Sequence, residues 1–145
     1  MINHEFVKES LMQTTVQAIP SSKPVLWAGR IVSALAILFL IFDSVIKVLK
    51  LAPAVESTVQ LGYPESLVMT LGVLELICLV LYIIPRTSIL GAILLTGYLG
   101  GAIATHVRNG SPLFSIIFPV IIGALVWGGL FLREQRLQKL IPLRS

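Results

Sequence analysis

Six side chains in a very apolar chain are of the types that hold polar ligands or exchange protons: Asp43, Lys47, Glu75, Tyr98, His106 and Arg108. Asp43 and Lys47 stand four residues apart with the acid first, the favourable order for an ion pair along a helix. Glu75 stands alone in a run of Leu, Val and Ile. Tyr98, Ala102 and His106 recur in steps of four, so in a helix they share a face. Such groups can seat a polar head group, relay a proton, or bond one helix to the next. Which of these they do depends on the elements that carry them.

Those elements read as membrane spans. Of 145 residues, 56% are hydrophobic and only 12% are charged, about half the charged share of a soluble domain. The mean hydropathy is +0.93. These values exclude a disordered chain and argue against a soluble globule. The apolar residues fall in four blocks, 25–46, 67–84, 89–105 and 113–132, each near the length of about 20 residues that crosses a bilayer.

Between the second and third blocks, Pro85 should stop one helix and Ser88 cap the next. In Asn109-Gly110-Ser111-Pro112, Ser111 suits an N-cap and Pro112 the first helical position. The longer stretch 48–66 can start a helical turn at Pro53 and end it at Gly62. Leu51, Val55 and Val59 recur every four residues there, as on one face of an interfacial helix. The expected fold class is therefore all-α: a four-transmembrane-helix bundle with a short interfacial helix between helices 1 and 2. The expected organisation is a polar cytoplasmic segment 1–24, a membrane domain 25–132 and a basic cytoplasmic tail 133–145. Arg133, Arg136 and Lys139 should share one face of a tail that extends the last helix towards lipid head groups.

Lys and Arg set the orientation. With the N-terminus inside, Lys8, Lys23, Arg30, Arg86, Arg133, Arg136, Lys139 and Arg144 are cytoplasmic, against Lys47, Lys50 and Arg108 outside. Such a bias places both termini in the cytoplasm, with Trp27 and Trp127 near the inner interface. The first apolar block lacks a small-residue cleavage site directly after it, so it reads as an uncleaved span.

Depth then sorts the polar residues. Glu75 is eight residues from Leu67, roughly 12 Å below the outer end, and Tyr98 is nine from Ile89, about 13 Å above the inner end. Both lie near the midplane of adjacent antiparallel helices, within reach of a mutual hydrogen bond. An ionised carboxylate alone at that depth costs about 2.5 kcal/mol or more. Glu75 is then protonated, paired with Lys47, Arg108 or His106, or in contact with a ligand. Asp43 and Lys47 form either a plain rim salt bridge or the mouth of an outer-half pocket. Asp43, Lys47, Glu75, Tyr98, His106 and Arg108 are the candidate ligand-binding residues.

Other chemistry is poorly supported. Cys78 is the only cysteine, which gives no internal disulfide or redox pair and suits a buried small hydrophobe. His106 has no second His or Cys nearby, so neither a metal site nor a haem is expected. The basic residues flank apolar blocks, which suits lipid rather than nucleic acid. Gly97 and Gly101 have GxxxG spacing, read as helix packing within the bundle, with homodimerisation as the alternative. No nucleotide loop, GxSxG turn or zincin motif is present, so a self-contained hydrolase is not indicated.

The run Ile84-Pro85-Arg86-Thr87-Ser88-Ile89-Leu90-Gly91-Ala92, then Gly97-Tyr98-Leu99-Gly100-Gly101-Ala102 and Thr105-His106-Val107-Arg108, resembles the DoxX-like family. So do Leu61-Gly62-Tyr63-Pro64-Glu65, Gly72 with Glu75, Phe42, Ser44 and Lys47, and Pro119, Trp127, Gly129-Leu130 and Leu132-Arg133, over roughly 30–142. The resemblance implies a four-helix protein of the bacterial inner membrane. It also implies kinship with subunits of thiosulfate:quinone oxidoreduction, with membrane thiol and oxidative-stress complexes, and with distant animal receptor-assembly chaperones. The expected function is a non-catalytic accessory subunit, or a quinone- or lipid-like ligand binder, of a membrane redox or stress-response assembly. No cofactor is identifiable from the residues, quinone is the one that the resemblance allows, and a membrane or peripheral redox protein is the expected partner besides the bilayer. An assembly chaperone or a small-molecule carrier is the alternative.

Overall fold

The computed structural model describes residues 3–5, 7–8 and 22–140. Helices α1 (Lys23–Val48), α3 (Val68–Ile83), α4 (Ser88–Arg108) and α5 (Leu113–Arg133) form the bundle. Short helix α2 (Ala52–Gln60) and a 3₁₀ turn (Glu65–Leu67) link α1 to α3, and α6 (Gln135–Leu140) follows α5. There is no strand among the described residues. Among the described residues four helical segments are long and apolar enough to cross a membrane. This is the expected all-α bundle of a multi-pass membrane protein, and the span limits agree within a few residues.

The helices form a ring in which α1 packs on α3 and α5, and α4 packs on the same two; across the diagonals the backbones stay apart and only long side chains meet. In lipid, burial of apolar surface does not favour helix association, so close backbone approach and buried hydrogen bonds must do so. The close approaches occur at Gly29, Gly72, Gly91 and Gly129. A Cβ at Gly29 would sit 2.8 Å from Leu132 Cβ, and one at Gly72 2.8 Å from Lys47 Cβ. Gly91 is pressed on the Tyr82 backbone and Gly129 on Ser33. Gly97 and Gly101 do not share this role: a Cβ at either meets nothing within 4 Å. The packing expected of them inside the bundle is corrected accordingly. Large apolar side chains such as Leu38, Phe42, Ile77 and Phe114 point outward, as a lipid-facing surface requires.

At the end carrying Lys23 and Arg133, Tyr82 ties three helices together. Its hydroxyl donates to Val126 O at 2.8 Å and lies 3.2 Å from Ser33 Oγ. Arg133 stacks over the Tyr82 ring at 5.0 Å. The tail is not the straight extension expected. Extended backbone at Glu134 breaks the helix, and α6 folds back so that Leu137 is buried and Gln138 Nε2 donates to Phe131 O at 2.6 Å. The break puts Arg133 over Tyr82 and leaves Arg136 exposed, so the two do not act as one face. The Lys139 side chain, Arg144 and most of the polar segment 1–24 lie outside the described residues.

Local stops differ from expectation by one residue at two turns. Ser88 is the first residue of α4 rather than its cap, and its hydroxyl donates back to Pro85 O at 3.2 Å. Pro112 occupies the N-cap position of α5, and Ser111 instead meets His106. Helix α2 begins with Pro53 in its first turn and ends before Gly62, whose φ of +89° is the left-handed conformation expected after a helix. Its packed face is Ala54 and Thr58, while Leu51 and Val59 are exposed. The small residues let α2 settle on the bundle end, and the apolar face expected from spacing is turned outward, as an interfacial helix requires.

Candidate functional site

Gly72 sets the geometry of the site. Its missing side chain lets α3 approach α1 at Lys47 and Ser44. Glu75 lies one turn further along α3, so its carboxylate is delivered beside the Lys47 ammonium. Lys47 Nζ donates to Glu75 Oε2 at 3.0 Å, to Tyr98 OH at 3.0 Å, and to Asp43 Oδ2. Tyr98 OH donates in turn to Glu75 Oε2 at 3.0 Å. The Asp43–Lys47 pair along α1 and the Glu75–Tyr98 bond between α3 and α4 thus join in one network.

Burial is graded across it. The side chains of Asp43 and Lys47 are 29% and 16% exposed, and that of Glu75 is fully buried. Among the described residues Glu75 Oε1 has no hydrogen-bond partner. A carboxylate oxygen buried without a donor is costly and uncommon, so this atom is the chemically unfinished part of the site.

Glu75 lies in the wall of a cavity of about 630 Å³, well within the range of small-ligand pockets. Asp43, Lys47, Tyr98 and His106 share that wall. The remainder is mostly apolar and includes Phe39, Phe118 and Ile122. Helix α2 closes one end through Ser57, Thr58 and Leu61. Tyr63, donating to Thr105 Oγ1 across 3.0 Å, fastens the segment after α2 to α4.

The cavity also reaches the exterior sideways. Leu74 of α3 and Ile93, Leu94, Gly97 and Gly101 of α4 line it, yet all are exposed. The α3–α4 pair is clamped near its connecting turn at Gly91 and is open where Gly97 and Gly101 face no neighbour. The exposed lining residues there are apolar, so a bilayer around the bundle would meet the cavity wall along this stretch.

Two expected site residues are peripheral. His106 lines the cavity but its Nδ1 is 3.0 Å from Ser111 Oγ. Arg108 does not line it; its guanidinium reaches Leu61 O at 3.4 Å, beyond the α2 terminus. Neither pairs with Glu75. No cluster of three metal-ligating side chains occurs among the described residues.

The model of the DoxX-like family matches residues 31–129. The chain belongs to the DoxX-like family. Comparisons with curated proteins and with solved structures gave no match. The DoxX-like match spans Asp43, Lys47, Glu75, Tyr98, His106 and Arg108, together with the four packing glycines except Gly29.

Several wall residues of this DoxX-like protein escape a reading that starts from ionisable groups in and beside the spans: Phe39, Thr58, Tyr63, Thr105, Phe118 and Pro119. Tyr63 belonged to a loop whose path was open, and Phe39 and Phe118 are indistinguishable in sequence from other apolar span residues. Pro119 does carry a signal, as an imino acid inside a span, but the helix continues through it.

Proposed function

We propose that this protein binds a small amphiphile from the bilayer, with the polar head at Glu75 and the apolar body between helices, as a non-catalytic member of a membrane assembly. The observation that carries the reading is the fully buried Glu75, whose Oε1 lacks a partner among the described residues, in the wall of a mostly apolar cavity. The gap between α3 and α4 supplies the access a bilayer-dissolved molecule needs. Quinone- and lipid-like molecules are the ligands of this shape, and a redox or stress-response assembly is the setting suggested by family kinship.

The same reading keeps residues 25–132 as the membrane domain and places both termini in the cytoplasm of a bacterial cell. Among the described residues, Lys8, Lys23, Arg30, Arg86, Arg133 and Arg136 support that orientation against Lys47, Lys50 and Arg108. The cavity then lies in the outer half.

Native mass spectrometry of detergent-purified protein tests the binding, wild type beside Glu75→Gln. A co-purified amphiphile lost in the variant is the expected result. Bare protein of equal stability in both would make Glu75 a packing residue and shift the reading to a scaffold. In that second reading the open small-residue face at Gly97, Gly100 and Gly101 is the contact surface. A crosslink from Gly100→Cys to another membrane protein would support it.

A further inference from the structure

Counting donors and acceptors in the cavity wall narrows the ligand chemistry. A lysine ammonium has three hydrogens, and Lys47 commits them to Asp43, Glu75 and Tyr98. The Tyr98 proton goes to Glu75. Ser57 and Thr58 both donate to Ala54 O, and Thr105 to Gly101 O. With the Thr105 proton so used, Tyr63 is the donor in its bond to Thr105. His106 lies eight residues beyond Tyr98, about 12 Å along the helix, and is held by Ser111. Apart from the weakly donating Cys78 thiol, no donor near Glu75 is left for a ligand among the described residues. What is left is an acceptor, Oε1.

Charge points the same way. With Glu75 ionised, as its Oε2 accepting from both Lys47 and Tyr98 favours, Asp43 and Glu75 bring two negative charges against the single ammonium of Lys47. Asp43 is partly exposed and can be solvated, so the surplus falls on buried Glu75. A quinone carbonyl or a carboxylate head group would bring a second acceptor to an acceptor. A hydroxyl would satisfy the hydrogen bond and leave the charge unbalanced. A protonated amine does both, in a charge-assisted bond of the stronger kind.

We propose that the cavity takes a bilayer-borne amphiphile with a protonated amine head, which draws the closed-in Glu75 carboxylate towards the cavity and pairs with Oε1, its hydrocarbon chain leaving between α3 and α4. The assignment rests on the amphiphile-binding reading of the same cavity and names its ligand class.

The test uses full-length protein in a non-ionic maltoside detergent and four probes of equal chain length: decylamine, decanol, decanoate and a decyl-substituted benzoquinone. Native mass spectrometry and thermal unfolding read binding. Wild type should retain one decylamine per chain, saturably and about tenfold or more tighter than the other three, a difference of about 1.4 kcal/mol. Glu75→Gln should lose that preference, and exposed Glu56→Gln should keep it. Equal binding of decanol and decylamine overturns the requirement for charge. Tighter binding of decanoate or of the quinone overturns the proposal, because Glu75 then presents a proton rather than an acceptor. Saturable binding of any probe leaves the amphiphile-binding reading standing, and binding of none removes both. Should Glu75→Gln fail to fold, the order of the four probes on wild type decides alone.

Discussion

Gly72 and Lys47 are packed so closely that a methyl group on Gly72 would lie 2.8 Å from Lys47 Cβ. This contact, between residues with no chemistry in common, is what brings Lys47 Nζ within 3.0 Å of Glu75. Backbone atoms of α1 crowd the same point, with Ser44 O and Val48 N each 2.9 Å from the added Cβ. Relief therefore requires the two helices to part. Gly72→Val should cost about 1–3 kcal/mol of unfolding free energy, the range for overpacking a tight core. It should also weaken amphiphile binding, because the ammonium and carboxylate separate. Unfolding in mixed micelles and native mass spectrometry on one preparation measure both. Unchanged stability would mean that α1 and α3 are not held at this distance.

Lys47 is the one cation that two carboxylates share. Lys47→Met leaves Glu75 buried without it, and should destabilise by about 3–5 kcal/mol, as for a broken buried pair. Adding Glu75→Gln should recover part of that loss, since the unpaired charge is gone. A double-mutant cycle on unfolding free energy reads the coupling, expected at about 1 kcal/mol or more for groups in contact. Additive effects would show that the Lys47–Glu75 bond contributes nothing to the fold.

The gap between α3 and α4 predicts a variant that folds and binds poorly. A side chain at Gly97 meets open space, so Gly97→Phe should leave thermal stability near wild type. The ring would fill the lateral opening and slow loading of the cavity. Ligand uptake after transfer of emptied protein into vesicles should fall about tenfold, the order expected when a conformational or steric step limits association. Normal uptake would place the access route elsewhere.

Tyr82 supplies the opposite control. Its hydroxyl bonds Val126 O and contacts Ser33 at the far end of the bundle, outside the cavity wall. Tyr82→Phe should cost about 1–3 kcal/mol, because the buried Ser33 hydroxyl loses a partner. Amphiphile affinity in the folded protein should not change. A loss of binding in parallel with stability would show that the two ends of the bundle are coupled.

By itself the sequence determined the class of this molecule. Four apolar blocks of membrane-spanning length, short turns at Pro85 and Gly110, and few charges leave no soluble arrangement, because backbone polar groups in hydrocarbon must be satisfied within helices. The same logic marked Glu75 as the residue to explain, and rise per residue placed it level with Tyr98. The tertiary structure alone decided which partner answered Glu75. Lys47, His106 and Arg108 were all open as partners, and the Gly72 contact selected Lys47. It also decided which glycines pack. Gly97 and Gly101 share a helix with Gly91, but only the last lies where α4 presses on α3. Spacing along a helix records which residues share a face; it does not record what stands opposite that face. For this protein the opposite side of Gly97 is open and that of Gly72 is Lys47, and the candidate site depends on both.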